Sequence, residues 1–428
     1  MSYLQFYDNY RKQIYLGLEP TDYFYDECNR QVPSLVCNEG GPTGYYSPGP
    51  GMRGFDPYMC YPVCETMPYC DPCPALSIVI GKLVYNSTEV GYVPRVVNIN
   101  ERPVYFDRTL LDPWGVINCD DILYVANSGS GIVARYNLLG KPILPMINVF
   151  CKRNCVGNPT GIDINYDINS FMVSCGPIRE YSRIIIVTRN GTINGYNFQS
   201  GKTDSVMLLD NSDKDCVFTG CCVVNFPMKD GNRYNVTGFG CSYLYVADFY
   251  NQCVLCYDGD MKKIDLPFID EDSGLGNRIG DEYGPINIVC IGDCLYVLYA
   301  KQRKDDNQWA EEGTGLGYVS IFNFDGVFLR RFYSCGVLNS PWGLVLAPSS
   351  YGYPAGAIMI GNIGDGVINV FSIEGNYLGA LTDPSGNTIS LGNLKGLSTS
   401  RASPRSIYWS GSSDSYTNFC LGVLSFTN

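Results

Sequence analysis

Cys60, Cys64, Cys70 and Cys73 form the densest group of reactive side chains, at spacings C-x3-C, C-x5-C and C-x2-C. Four thiolates can hold a structural zinc in a tetrahedron, but such sites are usually built from two C-x2-4-C knuckles. Only one clean C-x2-C is present, and Pro62, Pro68 and Pro72 stiffen the segment. Disulfides are therefore the leading expectation, ahead of zinc or free thiols, with Cys28 and Cys37 as further partners. Six cysteines allow 15 pairings if all are bridged.

Eight of the other 14 cysteines fall in close pairs. Cys253 and Cys256 have redox spacing, but they lie in an apolar stretch that reads as a strand. Residues three apart in a strand point to opposite faces roughly 10 Å apart, beyond disulfide reach. Cys290 and Cys294 flank Ile291-Gly292-Asp293, a hairpin turn across which a bridge is within reach. Cys151 with Cys155, and the Cys221-Cys222 pair, read as loop cysteines. Several bridges are expected among these, without an assigned connectivity.

Binding chemistry has two candidate locations. The most polar insertion runs from Lys301 to Gly313, where Lys301, Arg303, Lys304, Asp305, Asp306, Glu311 and Glu312 surround Trp309. Such loops carry ligands when a rigid scaffold presents them, although a solvated connector explains the same composition. Asn127, Asp248, Asn362 and Asp365 end or follow equivalent apolar strands. Oxygen ligands of this kind suit Ca²⁺, whereas turn capping is the simpler account. No metal or other cofactor is assigned on these residues; Ca²⁺ at a channel mouth is kept as the alternative. Gly313-Thr314-Gly315-Leu316-Gly317 precedes a strand, so it does not read as a phosphate-cradling loop. Asn86, Asn190 and Asn235 head N-x-S/T triplets, which matter only in a secretory pathway.

Composition removes several mechanisms. The 428 residues include 20 Cys and no His, which excludes His-based triads, dyads and zinc sites. Lys plus Arg is 30 against 42 Asp plus Glu, a formal charge of −12, which argues against a nucleic-acid footprint. No apolar run approaches the roughly 20 residues of a membrane span. The first residues, Met1 to Asp8, include an early acid and no apolar core, so no secretory signal is expected. Abundant cysteine without an export signal fits a chain made in the cytosol and oxidised on assembly into a particle. Buried reduced thiols, or an absent signal, are the alternatives.

The elements that would position these residues follow from repeats. Residues 1–76 are rich in Tyr, Pro, Gly and Cys, and the run from Gly40 to Gly51 breaks both helix and strand. This stretch reads as an irregular arm. From residue 77 onward short apolar segments alternate with Gly, Asn and Asp turns, the pattern of an all-β fold. One repeated element is an apolar strand: Leu123–Asn127, Ile184–Thr188, Leu244–Asp248, Leu295–Tyr299, Ile358–Asn362 and Ile407–Gly411. A second follows each: 131–136, 191–196, 252–257, 317–322 and 366–371, with Val or Ile third and Tyr or Phe sixth. Residues 420–426 form a degenerate sixth copy. A third element precedes each pair, the triplets beginning at Pro113, Pro159, Phe218, Gly284, Pro341 and Leu394. Six such units, each about four strands, predict a six-bladed β-propeller over 77–428. A strand near 92–97 is expected to close the ring against the last blade.

Leu338–Pro348, Gly361–Phe371, Tyr299–Gln302 and Leu244–Asp248 resemble an uncharacterised group of six-bladed propellers related to the NHL-repeat type. The resemblance covers about residues 90–428. Those proteins are mostly bacterial and usually exported, whereas this chain has an extra arm and no export signal. The combination points to a member from a large DNA virus. The family carries no established activity, so the resemblance implies a fold and not a reaction.

The functional expectation is a non-enzymatic structural or interaction protein, a disulfide-stabilised surface or fibre component of a virion. Its arm would contact other copies or other particle proteins. A Ca²⁺-dependent hydrolase or lactonase, and an extracellular propeller binding a glycan or protein, are the alternatives.

Overall fold

The computed structural model describes residues 107–152, 155–175, 178–198, 202–226, 242–270, 279–348, 351, 353–382, 386–412 and 419–427, with short strands at Tyr23–Tyr25, Gln31–Pro33 and Lys82–Asn86. Six four-stranded sheets make up the main body. Blade 1 runs outward through Pro113–Cys119, Ile122–Asn127, Ile132–Asn137 and Ile147–Asn148. Blade 2 comprises Pro159–Ile164, Ile184–Thr188, Thr192–Tyr196 and Val206–Asp210. Blade 3 comprises Phe218–Asn225, Ser242–Asp248, Cys253–Asp258 and Lys263–Ile264. Blade 4 comprises Tyr283–Ile291, Cys294–Lys301, Gly317–Phe322 and Phe328–Ser334. Blade 5 comprises Pro341–Leu346, Ile358–Asn362, Ile368–Phe371 and Tyr377–Ala380. Blade 6 joins Leu397–Thr399, Ser406–Ser412 and Phe419–Thr427 to Lys82–Asn86. The all-β six-bladed propeller expected from the repeats is the observed fold.

Ring closure differs from the expectation in its residues. The closing strand is Lys82–Asn86, and it pairs in parallel with Phe419–Thr427, Lys82 opposite Val423 and Asn86 opposite Thr427. Residues 92–97 lie outside the described residues, as do Cys28, Cys37, Cys60, Cys64, Cys70, Cys73 and Asn235. Two short antiparallel strands, Tyr23–Tyr25 and Gln31–Pro33, are described within the arm.

The apolar runs follow from the architecture. Successive residues of a strand face opposite sides, and in a propeller both sides are covered by a neighbouring blade. In blade 2, Ile184 and Ile186 pack toward blade 1, whereas Ile185 and Val187 pack toward blade 3. Buried clusters of this kind fill all six blade junctions. The aromatic sixth position of the repeat supplies Tyr136, Tyr196, Tyr257, Phe322 and Phe371, all buried in these clusters.

The repeated triplet marks where blades converge. Register shifts occur in the innermost strands between Pro113 and Val116, Pro159 and Ile162, Phe218 and Gly220, Pro285 and Asn287, and Pro341 and Gly343. Proline cannot donate to a ladder and glycine admits close backbone approach, so the pair encodes a bulge. A Cβ on Gly161 would lie 2.8 Å from the Cys221 backbone nitrogen of the next blade. Glycine there lets the innermost strands crowd the axis.

Candidate functional site: a channel with a sealed end and an open end

The innermost strands of all six blades line a central cavity of about 510 Å³. Among the described residues it opens where those strands finish, beside Tyr166, Phe226, Gly292, Asp293 and Phe324, and it reaches inward to Trp342 and Gly343. Its wall is mostly apolar, from residues such as Ile162, Ile164, Val223, Ile288 and Leu344.

The end where the innermost strands begin is filled by side chains. Trp114 and Trp342 meet edge to face with ring centroids 6.0 Å apart. Trp114 Nε1 donates to Asp112 Oδ2 at 3.0 Å, and Trp342 Nε1 donates to the Thr219 carbonyl at 3.1 Å. Lys395 pairs with Asp112, both side chains nearly excluded from solvent. The Lys395 ammonium also lies 4.5 Å from the Trp114 ring centroid. Burial lowers the Lys395 pKa, and the Asp112 carboxylate opposes that shift. Asp112 itself occupies the left-handed backbone region at φ 48°, which Asp tolerates better than most residues.

The Lys301–Gly313 insertion lies over this sealed end. Trp309 stacks on the Arg189 guanidinium of blade 2 at 3.3 Å, and Arg189 Nη2 donates to the Gln308 carbonyl at 3.0 Å. Burial brings the Arg189 pKa down to about 10, opposed by Asp112 and Asp306. The loop is anchored from within. Lys301 pairs with Glu311 at 3.1 Å, and Arg303 with Asp305 at 3.1 Å. Gln302 Nε2 donates to the Phe249 carbonyl of blade 3 at 2.6 Å. Of the sequence candidates here, Trp309 therefore contacts blade 2, beyond the adjacent blade 3, while Lys301 and Arg303 pair within the loop.

The four strand-end candidates stay apart. Asp248 accepts from the Val217 N–H at 3.1 Å and from Asn251 Nδ2 at 2.9 Å. Asn362 Nδ2 donates to the Val337 carbonyl at 2.8 Å, and Asp365 accepts from the Val367 N–H at 3.0 Å. Asn127 Nδ2 donates to the Val125 carbonyl at 3.3 Å. Each tethers its own turn or its neighbour's, and of the four only Asn362 and Asp365 touch. Among the described residues no three Cys, Asp or Glu side chains are grouped to hold a metal ion.

The open end carries different chemistry. Asp163 lines the cavity and accepts from the Ile164 N–H at 2.8 Å and the Val223 N–H at 2.7 Å. Burial pushes its carboxyl up to about 6 in spite of those bonds. Cys221 and Cys222 are not loop cysteines as expected but lie on the innermost strand Phe218–Asn225, and with Cys290 they line the same cavity. All three, with Cys294, are free thiols. Cys290 packs in the junction of blades 3 and 4, Cys294 in that of blades 4 and 5. The pleat thus turns the two hairpin cysteines to opposite faces, and the bridge considered across that turn is absent. Cys253 and Cys256 lie in a strand, as their context predicted, and are unbonded. Cys151 and Cys155 form a disulfide in a small hairpin between blades 1 and 2.

Sequence reading missed Asp112, Trp114, Asp163, Arg189, Trp342 and Lys395 as channel residues. One signal was present: Lys395 puts a charge in a triplet position held elsewhere by Trp, Thr or Pro.

These features define a six-bladed propeller whose channel is closed at one end by paired charges and tryptophans. The chain belongs to a protein family of giant viruses. Its relatives include two uncharacterized proteins of Acanthamoeba polyphaga mimivirus. One is 31% identical over 398 residues, covering 90% of this chain and 92% of the relative. The other is 30% identical over 376 residues, covering 85% and 95%. These viral relatives match the expected large DNA virus membership. Among solved structures the chain is similar to virginiamycin B lyase from Staphylococcus aureus, with 10% identity, a TM-score of 0.40 and coverage of 69% and 76%. No family profile matches the chain.

Proposed function

We propose that this chain is a structural and binding propeller of giant-virus particles, held to its partners by residues 1–76. The observation that carries this reading is the sealed end of the channel. The charges there, Lys395 and Asp112, satisfy each other, and Trp114 and Trp342 fill the space between blades. Groups so fully engaged in packing serve the stability of the hub. The viral relatives support a place in the particle, and the acidic sequence fits a solvated exterior better than a polyanionic partner. The test is quantitative proteomics of purified, detergent-washed particles, with and without residues 1–76. Retention of the full chain and loss of the truncated one is expected. A full chain confined to infected cytoplasm would overturn the proposal.

A second reading is favoured by a groove beside the Cys151–Cys155 disulfide. Lys152, Arg189, Asn190, Asp215, Tyr250 and Gln308 line about 370 Å³ there. Cations, amides, a carboxylate and a tyrosine together suit a sugar bearing a carboxyl group. Binding on a glycan array, lost in Lys152→Ala, is the expected result; no acidic-glycan signal would remove this reading.

A further inference from the structure

Two thiols meet at the open end of the channel, and they come from different blades. Cys222 lies on the innermost strand of blade 3 and Cys290 on that of blade 4. Both pack in the junction of blades 3 and 4, where Cys290 Sγ also donates to the Gly292 carbonyl at 3.5 Å. We propose that Cys222 and Cys290 are a reactive dithiol that closes into a disulfide across the junction of blades 3 and 4, by exchange with a small organic disulfide entering through the channel mouth.

Three independent observations support this. The first is register. Cys221 faces the junction of blades 2 and 3, whereas Cys222 faces that of blades 3 and 4, where Cys290 also packs. The pleat therefore turns Cys221 and Cys294 away, and Cys256, the other thiol of that junction, sits on the third strand of blade 3, which leaves Cys222 on the innermost strand for Cys290. The second is access. Both sulfurs belong to residues that line the open cavity, and Cys290 is only half-buried, next to the mouth residues Gly292 and Asp293. The third is polarisation. Burial raises the pKa of Cys119, Cys221, Cys253 and Cys256. Cys290 goes the other way, because the Cys222 thiol donates to its sulfur. Cys290 is half-buried beside the mouth residues and Cys222 is buried, so an entering disulfide meets Cys290 first, which makes it the nucleophile and Cys222 the resolving thiol.

The chemistry balances without a metal or cofactor. The Cys290 thiolate attacks one sulfur of the small disulfide, breaks its S–S bond and releases one small thiolate. Cys222 then loses its proton to solvent and attacks the Cys290 sulfur of the mixed disulfide. The second small thiolate leaves, and the Cys222–Cys290 bond remains. Two protein thiols have lost two electrons and two protons, and the small disulfide has taken them up as two thiols.

The experiment uses the reduced full-length chain and 2-hydroxyethyl disulfide as the oxidant. After brief exposure, free thiols are alkylated and the unreduced protein is mapped by peptide mass spectrometry. The expected product at the channel is a peptide pair joining Cys222 to Cys290, formed beside the re-formed Cys151–Cys155 bridge. In Cys222→Ser the mixed disulfide should accumulate on Cys290. In Cys290→Ser, Cys222 should remain alkylatable. The wild-type map stands by itself if either variant fails to fold. A Cys290–Cys294 or Cys221–Cys222 link as the product at the channel overturns the proposal, and so does full alkylation of Cys222 and Cys290 after exposure.

Discussion

The two ends of the channel are built from the same six strands, yet they treat buried charge in opposite ways. At the sealed end Lys395 and Asp112 neutralise each other under a tryptophan roof. At the open end Asp163 has backbone N–H donors and no cation, so its proton is held up to about pH 6. A buried charge is either paired or pushed toward neutrality. The strand starts take the first route because loops of several blades converge there. The strand finishes take the second: the hairpins Cys119–Ile122 and Ile291–Cys294 bring no cation to Asp163, whose bonds come from backbone N–H groups.

The most damaging way to break this contrast is to unpair the sealed end. Lys395→Met leaves Asp112 buried without its cation and should cost about 3–5 kcal/mol in urea unfolding. Lys395→Met combined with Asp112→Asn should recover most of that loss; a double variant no better than the single would show that packing, not pairing, dominates. Next comes the hub itself. Gly161→Ala forces a methyl into the Cys221 backbone and should cost about 1–3 kcal/mol. A neutral result would mean that the innermost strands can separate.

The open end is tested by pH. The folded pKa of Asp163 is raised above the ordinary 3.8, so between about pH 4 and 6 the native state keeps a proton that the unfolded chain releases. Its contribution to stability therefore falls as pH rises through that window and is level above it. Asp163→Asn should flatten this slope, read from urea midpoints across about pH 3.5 to 7.5. An unchanged slope would place the titration elsewhere. The smallest effect is expected at the loop. Trp309→Ala removes the stack on Arg189 and should cost about 1 kcal/mol, since Trp309 is partly exposed. A much larger loss would make the loop part of the hub.

The blades were legible because each unit repeats three local signals: a Pro/Gly triplet, an apolar strand and an aromatic sixth position. All three have a direct physical cause in bulge, junction and plug. The channel was not legible in the same way. The bulge at each triplet shifts the pleat by one residue, so the side chains facing the axis cannot be counted from the strand start. Asp163 lies in the apolar run Ile162-Asp163-Ile164, and only the register tells that it faces the cavity. The closing strand was misplaced for a related reason. Lys82–Asn86 carries no repeat signal, and its pairing is decided by a partner at the far end of the chain.

That clasp has a consequence for how the protein is made. Lys82 emerges in synthesis long before Val423, yet they are neighbours in one sheet. Until the final strand leaves the ribosome, blade 1 lacks the neighbour that covers Tyr136, Leu123 and Val125. A waiting chain of this kind exposes apolar surface and an unpaired sheet edge. Completion of the ring is thus timed by translation of Phe419–Thr427, and a chain stopped before that strand would have five finished blades and no means of shutting the circle.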